Sequence, residues 1–159
     1  MTNNSKPLRI NVGFLLNQPV GASRDIPFDI PRFAYPDIEL LDLTGEVRLT
    51  RTVQGVLVQA SFEAAKAEEC VRCLAEFMQP LHTTFTELFA FKTKSVTDSG
   101  LLLPESGDID LAPLVREYLL LEVPIKPLCR PDCKGLCVVC GADLNMETCE
   151  HQQGISQEE

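Results

Sequence analysis

The fold is decided by residues 41–64, which read LDLTGEVRLTRTVQGVLVQASFEA. Apolar or small residues occupy every second position in two runs, which are Leu41, Leu43, Gly45, Val47, Leu49 and Val56, Val58, Ala60, Phe62, Ala64. A period of two is typical of a strand with one buried face. Because Val53-Gln54-Gly55 supplies a turn between the runs, the pattern predicts an antiparallel hairpin.

A third strand is predicted over residues 77–91, where Leu81, Phe85 and Phe89 share one face. Thr83 and Glu87 interrupt that face, which indicates a strand near the edge of the sheet. The motif Cys70-Val-Arg-Cys73 falls between the second and third strands. It is therefore expected at the tip of the hairpin that joins them.

One amphipathic helix is predicted over residues 109–123, after a polar stretch, 92–108, that we interpret as a mobile loop. Asp110 can cap the helix, and Pro113 is tolerated in its first turn. The apolar positions follow helical spacing, at Leu111, Leu114, Val115, Tyr118 and Leu119. Pro124 ends the helix. The predicted class is α+β, with an antiparallel meander covered by this helix and a cysteine-rich zinc-knuckle segment at residues 124–151.

The remaining segments complete the predicted organisation. Residues 9–16 have the composition of a strand, and residues 17–39 carry four prolines, which favours an irregular connection. We predict one domain over residues 1–151, mainly β as far as residue 91. Residues 152–159 are predicted to be a disordered tail.

The charge of the chain constrains its partners. The net charge is −9, and residues 73–159 hold 14 of the 23 acidic residues but only 6 of the 14 basic ones. Such a chain is repelled by bare phosphate backbones, so a role with nucleic acid needs a local basic patch or a basic partner protein. Neither a signal peptide nor a membrane span is found, and a cytoplasmic location is expected.

Seven cysteines in a reducing compartment do not predict disulfides, and an odd number cannot all pair. Together with one histidine they form eight potential ligands, which are Cys70, Cys73, Cys129, Cys133, Cys137, Cys140, Cys149 and His151. Paired spacing of this kind is a specific zinc signal, and eight ligands suffice for two tetrahedral ions. The sequence therefore predicts one or two zinc ions.

The predicted division places Cys70, Cys73, Cys129 and Cys133 at one site. The other site would then hold Cys137, Cys140, Cys149 and His151, which are close in sequence and close a short loop. The alternative joins the four cysteines from 129 to 140 and leaves Cys70 and Cys73 with Cys149 and His151.

Other uses of the cysteines stay open. One or two could be buried apolar side chains, a CxxC motif can be redox-active in a βαβ setting, and four thiolates can hold an iron–sulfur cluster. Residues 124–151, however, contain few large apolar residues. Because such a segment buries too little surface to offset its ordering entropy, metal ligation is the favoured source of its stability.

Beyond the cysteines, further motifs carry a resemblance. They are Cys70-Val-Arg-Cys73-Leu, Asp108-Ile-Asp-Leu111, Arg116-Glu-Tyr-Leu-Leu-Leu-Glu-Val-Pro124, Pro127-Leu-Cys129, Asp132-Cys-Lys-Gly-Leu-Cys137 and Cys140-Gly-Ala-Asp-Leu-Asn145. With Cys149 they resemble the YceD family, the large ribosomal RNA subunit accumulation proteins. The Glu-Tyr-Leu-Leu-Leu-Glu wording is similar to cyanobacterial members.

The resemblance implies a bacterial or plastid protein needed for accumulation of 23S ribosomal RNA, without catalytic activity. This chain departs from the family at Val138, where many relatives have proline, and at His151, where many have cysteine. Histidine preserves ligation at the second position. Some relatives lack the C-terminal CxxCG, which implies that the two sites differ in importance.

Three functions are weighed on this basis: a factor in large-subunit assembly, an enzyme, and a zinc-stabilised adaptor without RNA contact. The enzyme is disfavoured because closed thiolate sites leave no open metal position, and no nucleophile motif or phosphate loop is present. Candidate RNA contacts are Arg72, Lys126, Arg130 and Lys134, although these cations could simply offset thiolate charge. The predicted partner is a ribosomal RNA precursor or a basic ribosomal protein.

Overall fold

The structure is a computed structural model that describes residues 7–151. In chain order its strands and α-helices are β1 (Arg9–Asn11), α1 (Gly13–Leu16), β2 (Ser23–Tyr35), β3 (Ile38–Arg51), β4 (Gly55–Glu69), β5 (Glu76–Ala90), β6 (Asp108–Asp110) and α2 (Ala112–Glu122), with a short 3-10 helix (Thr93–Ser95) between β5 and β6. The four long strands form one sheet in the order β2-β3-β4-β5, and β1 pairs with β6. The predicted α+β class with an antiparallel meander is confirmed.

One face of the sheet is covered by α2. In β5, Leu81, Phe85 and Phe89 are buried as predicted, and so are Thr83 and Glu87. The Tyr118 ring of α2 stacks on Phe85 with centroids 4.6 Å apart and 6° between the planes. The strand also ends the sheet order, which confirms its predicted place at an edge.

Strand β3 departs from the simple alternation. Leu40 and Leu43 are buried while Leu41 is only half-buried. The pairing with β4 shifts register between Leu41 and Thr44, and Asp42 has φ of 52°. This bulge moves the buried face by one residue, which a strict period of two does not predict.

Two sequence predictions are wrong at the N-terminal side. Residues 17–39 are not an irregular connection, since β2 pairs with β3 from Ser23 to Tyr35 despite its prolines. An edge strand tolerates proline because half of its N–H groups need no partner in the sheet. Residues 9–16 are a three-residue strand and a helical turn, because the Gly13 N–H donates to Asn11 Oδ1 at 2.9 Å and bends the chain.

The helix starts later than predicted. Residues 108–110 form β6, so α2 begins at Ala112, not at residue 109. Asp110 does cap it, because its Oδ1 accepts from the Ala112 N–H at 3.0 Å. Asp108 has a different role and accepts hydrogen bonds from Arg9 and Asn11.

The chain divides into two compact units. The sheet unit comprises residues 7–65 and 80–122, and the cysteine unit comprises residues 66–79 and 123–151 of the described chain. The predicted single domain and the predicted mobility of residues 92–108 stay predictions, and the predicted tail lies outside the described residues. Within residues 7–151, no helix is long and apolar enough to span a bilayer.

Candidate metal centres

The first group of potential ligands lies within the cysteine unit. The sulfurs of Cys70, Cys73, Cys129 and Cys133 all lie within 4.8 Å of one another. The Sγ–Sγ distance is 3.7 Å for Cys70 and Cys133 and 3.6 Å for Cys73 and Cys129. A disulfide requires about 2.05 Å. Tetrahedral zinc with Zn–S bonds of about 2.3 Å has S–S edges of about 3.8 Å. The spacing therefore fits a metal-binding thiolate set.

The Cys70–Cys73 pair is presented by the turn that joins β4 to β5. The Leu74 N–H donates to the Cys70 carbonyl at 2.9 Å, and the Cys70 N–H donates to the Ala75 carbonyl at 2.9 Å. Leu74 has φ of 62°, in the left-handed region that normally favours glycine. The turn thus adopts the knuckle conformation without the glycine that usually permits it.

The second cysteine pair of this group is held against the same turn. The Val71 N–H donates to the Pro127 carbonyl at 3.0 Å, and the Leu136 N–H donates to the Arg72 carbonyl at 3.1 Å. A Cβ at Gly135, whose φ is 78°, would lie 3.2 Å from Arg72. Glycine is needed there for both its backbone conformation and its small size.

One contact of this group escaped the sequence analysis. The Asn145 amide donates to Cys133 Sγ at 3.3 Å and accepts from the Lys134 N–H at 2.8 Å. Such bonds around a sulfur orient a metal ligand and favour its thiolate form. Asn145 was visible in the sequence only as the end of a motif, and no spacing rule assigns it a role.

The second group consists of Cys137, Cys140, Cys149 and His151, whose ligand atoms also lie within 4.8 Å of one another. A short hairpin presents it, with an isolated bridge between Leu136 and Asp143. Gly141 has φ of 76°, and its N–H donates to the Cys137 carbonyl at 2.9 Å. Gly141 therefore occupies the same left-handed position after its CxxC motif as Leu74 does in the first knuckle.

The two groups of side chains coincide with the predicted division and not with its alternative. They differ in exposure. In the first group, Cys70, Cys73 and Cys133 are buried; in the second, Cys137 is buried but Cys140 and His151 are exposed.

Each group contains a thiol that ionises readily. Burial opposes ionisation of Cys70, but the N–H groups of Cys73, Cys129 and Arg72 outweigh it and lower the Cys70 pKa to about 6. The N–H groups of Cys140 and Val139 lower the Cys137 pKa to about 6. These backbone dipoles stabilise the thiolate, which is the form that binds metal.

Neighbouring thiols oppose one another's ionisation. Burial, and then the nearby sulfurs of Cys73, Cys133 and Cys70, raise the Cys129 pKa to about 12. In the second group the His151 N–H favours the Cys149 thiolate, yet burial and the neighbouring thiols raise the Cys149 pKa overall. A bound cation relieves such repulsion. Both groups could therefore hold a metal ion.

The candidate RNA contacts all lie in the cysteine unit. Arg72 Nη1 donates to the Cys133 carbonyl at 2.8 Å, so this guanidinium supports the fold of the first group. Arg130 lies 3.6 Å from Asp132, while Lys126 and Lys134 are exposed and form no ion pair within residues 7–151. His82 is exposed on β5 and belongs to neither group.

The fold and the ligand groups define a β-sheet protein with two potential cysteine-rich metal centres. A family model described as large ribosomal RNA subunit accumulation protein YceD matches residues 58–158, and the chain belongs to this family. The match includes both ligand groups, β5 and α2.

Individual relatives are similar over part of their length. An uncharacterised protein of Mycobacterium tuberculosis is 39% identical over 113 residues, which cover 68% of this chain and 53% of the relative. A Mycobacterium leprae protein is 34% identical over 142 residues, 83% of this chain and 65% of the relative. The chain thus spans about half the length of the M. tuberculosis relative.

A maize protein is named chloroplastic large ribosomal RNA subunit accumulation protein YCED homolog 1. It is 41% identical over 54 residues, which are 31% of this chain and 18% of the relative. No solved structure matches the chain.

Proposed function

We propose that this protein is a non-catalytic factor in the biogenesis of the large ribosomal subunit that supports processing or accumulation of 23S ribosomal RNA. The observation that carries the proposal is the family match over residues 58–158, which spans both ligand groups. The name of the maize relative supports the same role. We place the protein in the cytoplasm, where precursor ribosomal RNA of a bacterium is processed.

Each ligand group holds one zinc ion in this proposal. Four thiolates, or three thiolates and an imidazole, fill a tetrahedral coordination shell and leave no position for substrate. The sulfur spacing of 3.6–3.7 Å in the first group matches the edges of a tetrahedron around a single ion, which supports zinc. The zinc is structural, since it orders a segment that has few apolar residues to bury.

Contact with the RNA precursor is made by exposed cations of the cysteine unit. Lys126 and Lys134 are the strongest candidates because neither is neutralised by an ion pair within residues 7–151. Arg130 forms an ion pair with Asp132, and Arg72 donates a hydrogen bond to the Cys133 carbonyl. Phosphate contacts of this kind position a protein on RNA without reading its sequence.

A second candidate function is a zinc-stabilised adaptor that binds a protein and touches no RNA. It is favoured by exposed apolar side chains in the cysteine unit, where Val138, Val139 and Met146 are 86%, 68% and 83% exposed. Exposed apolar residues near one another are typical of protein-binding surfaces. The net charge of −9 points to a basic partner.

Crosslinking in cells, mapped to single nucleotides, tests the proposal. We expect crosslinks confined to precursor 23S RNA, reduced by the double variant Lys126→Ala/Lys134→Ala. The matched control is Lys92→Ala/Lys94→Ala, which removes the same charge from exposed lysines of the sheet unit. Protein partners without any RNA crosslink would support the adaptor instead.

A further inference from the structure

The sheet unit contains a cavity that has no part in the metal centres. Its volume is about 320 Å³, and it lies between the end of β5, the loop around residue 100 and the first turns of α2. The loop is fixed to β5 by two backbone hydrogen bonds, in which Ala90 pairs with Leu101 and Leu103. The volume is at the lower end of the range for ligand pockets, which suits a single side chain.

A buried carboxylate lines this cavity. Glu87 is only 7% exposed, and one of its oxygens accepts a hydrogen bond from the Tyr118 hydroxyl at 2.5 Å. Within residues 7–151 its other oxygen has no hydrogen-bond partner and is not fully buried. Because Glu87 is part of the cavity lining, this oxygen is available to a group bound in the cavity. The hydrogen bond from Tyr118 replaces only part of the hydration that a carboxylate loses on burial, so a cationic partner would be favourable here.

The hydroxyl of Tyr118 keeps its proton in this arrangement. The hydrogen bond to Glu87, with burial, raises the pKa of Tyr118 to about 12. The Tyr118 ring is fixed by its stacking on Phe85. Glu87 is thus oriented by a rigid donor on one side and left open on the other.

The remaining walls have two chemistries. Asp110 and Glu117 add two carboxylates to the lining, and none of the described residues that line the cavity is a lysine or an arginine. Leu101 and Leu114 form apolar wall on the loop and helix sides. An apolar wall that leads to carboxylates matches a side chain with an aliphatic stem and a cationic head.

We propose that this cavity binds an arginine side chain of a basic partner protein. Arginine is favoured over lysine because its planar guanidinium offers five donors, enough to engage more than one carboxylate at once. The net charge of −9 complements a basic partner over longer distances. The inference goes beyond the proposed function and does not depend on it, because a basic partner outside the ribosome would satisfy it equally.

The test is an NMR titration of the full-length, metal-containing protein with the peptide acetyl-Gly-Arg-Gly-amide. We expect the amide signals of Glu87, Leu114 and Tyr118 to shift, and the peptide with citrulline in place of arginine to leave them unchanged. Glu87→Gln retains an acceptor for Tyr118 and should weaken binding about tenfold or more, the effect of losing a charge-assisted bond.

Glu117→Gln, a second variant at an exposed position of α2, should also weaken binding, so the test survives if Glu87→Gln fails to fold. Glu122→Gln removes an equal charge from the same helix outside the cavity and should bind like the natural protein. Equal shifts with arginine and citrulline, or unaltered binding by Glu117→Gln, would overturn the proposal. Tighter binding of spermidine than of the arginine peptide would overturn the protein partner in favour of a small polyamine.

Discussion

Different interactions stabilise the interior of the sheet unit and the interior of the cysteine unit. The sheet unit buries large apolar side chains such as Phe62, Leu40 and Val47, none of them exposed at all. The buried cluster of the cysteine unit consists of Cys70, Cys73 and Cys133, with only partly buried neighbours such as Phe77 and Leu128. One chain therefore combines an apolar core with a segment whose interior is made of potential metal ligands.

Approximate free energies explain why the two units are stabilised in different ways. Complete burial of a large apolar side chain stabilises a fold by about 1.5–3 kcal/mol, and the sheet unit has many. The cysteine unit cannot reach such a sum. A structural zinc ion contributes about 10–16 kcal/mol in small zinc-binding peptides. If the ligand groups hold zinc, the metal is the dominant stabilising term of this unit.

Removal of one buried ligand should have the largest effect on structure. It should affect the cysteine unit and leave the sheet unit folded. Cys133→Ser leaves the first group with three thiolates and removes the sulfur that accepts the hydrogen bond from Asn145. We expect one metal ion per chain to be lost and the cysteine unit to lose its fixed structure. Elemental analysis measures the first effect, and hydrogen exchange of residues 123–136 the second.

The sheet unit serves as the internal control for this variant. Exchange of β3 and of residues 55–65 of β4 should remain slow, because the core to which they belong contains none of the potential ligands. Equal loss of protection in both units would show that the metal stabilises the entire chain, and the contrast between the units would be wrong. An unchanged metal content would refute the ligand assignment itself.

The two ligand groups should respond independently to a change at the more exposed one. The double variant Cys149→Ser/His151→Ala should lose one metal ion and release only the hairpin around Gly141. Cys70 and Cys73 should stay protected from thiol reagents, and Cys137 and Cys140 should become reactive. The reverse pattern would support the alternative ligand division.

A substitution in the apolar core should destabilise the sheet unit and leave the metal centres of the cysteine unit intact. Phe62→Ala removes a fully buried ring that contacts Phe28 and Phe85, with centroids 5.9 and 6.4 Å away. We expect the sheet unit to lose about 3–5 kcal/mol of its free energy of unfolding, measured in urea, while the metal content is retained. Loss of metal from the folded variant would show that the ligand groups depend on the core.

Sequence reasoning succeeded where one local signal decided the structure. The alternation from Leu43 to Phe62 predicted β3 and β4, and the paired spacing of the cysteines predicted the two groups of side chains. It failed at β2, because prolines count against a strand unless its place at the sheet edge is known. The turn after Asn11 was also not predicted, since it depends on one side-chain hydrogen bond.

The cavity beside Glu87 could not be predicted for a different reason. It requires the loop around Leu101 to pair with Ala90, a contact between segments that share no periodic pattern. Glu87 itself interrupts an apolar face, which indicated only an edge strand. Burial of an individual polar side chain depends on tertiary contacts, and a single sequence does not contain them in readable form.

The smallest predicted effect compares the two knuckles through their left-handed residues. Gly141 has φ of 76°, and a Cβ there would meet nothing within 4 Å, so Gly141→Ala adds backbone strain alone, about 1 kcal/mol. Leu74 has φ of 62° with a side chain 55% exposed. Leu74→Asn should relieve strain and gain up to about 1 kcal/mol, because asparagine tolerates this conformation and little burial is lost.

Competition with a zinc chelator measures the effect of both substitutions on metal retention. We expect Gly141→Ala to weaken metal retention by the second group and Leu74→Asn to strengthen it in the first. Weaker retention in both variants would mean that the Leu74 side chain stabilises the first knuckle through its contacts, and that the two knuckles do not share one backbone requirement.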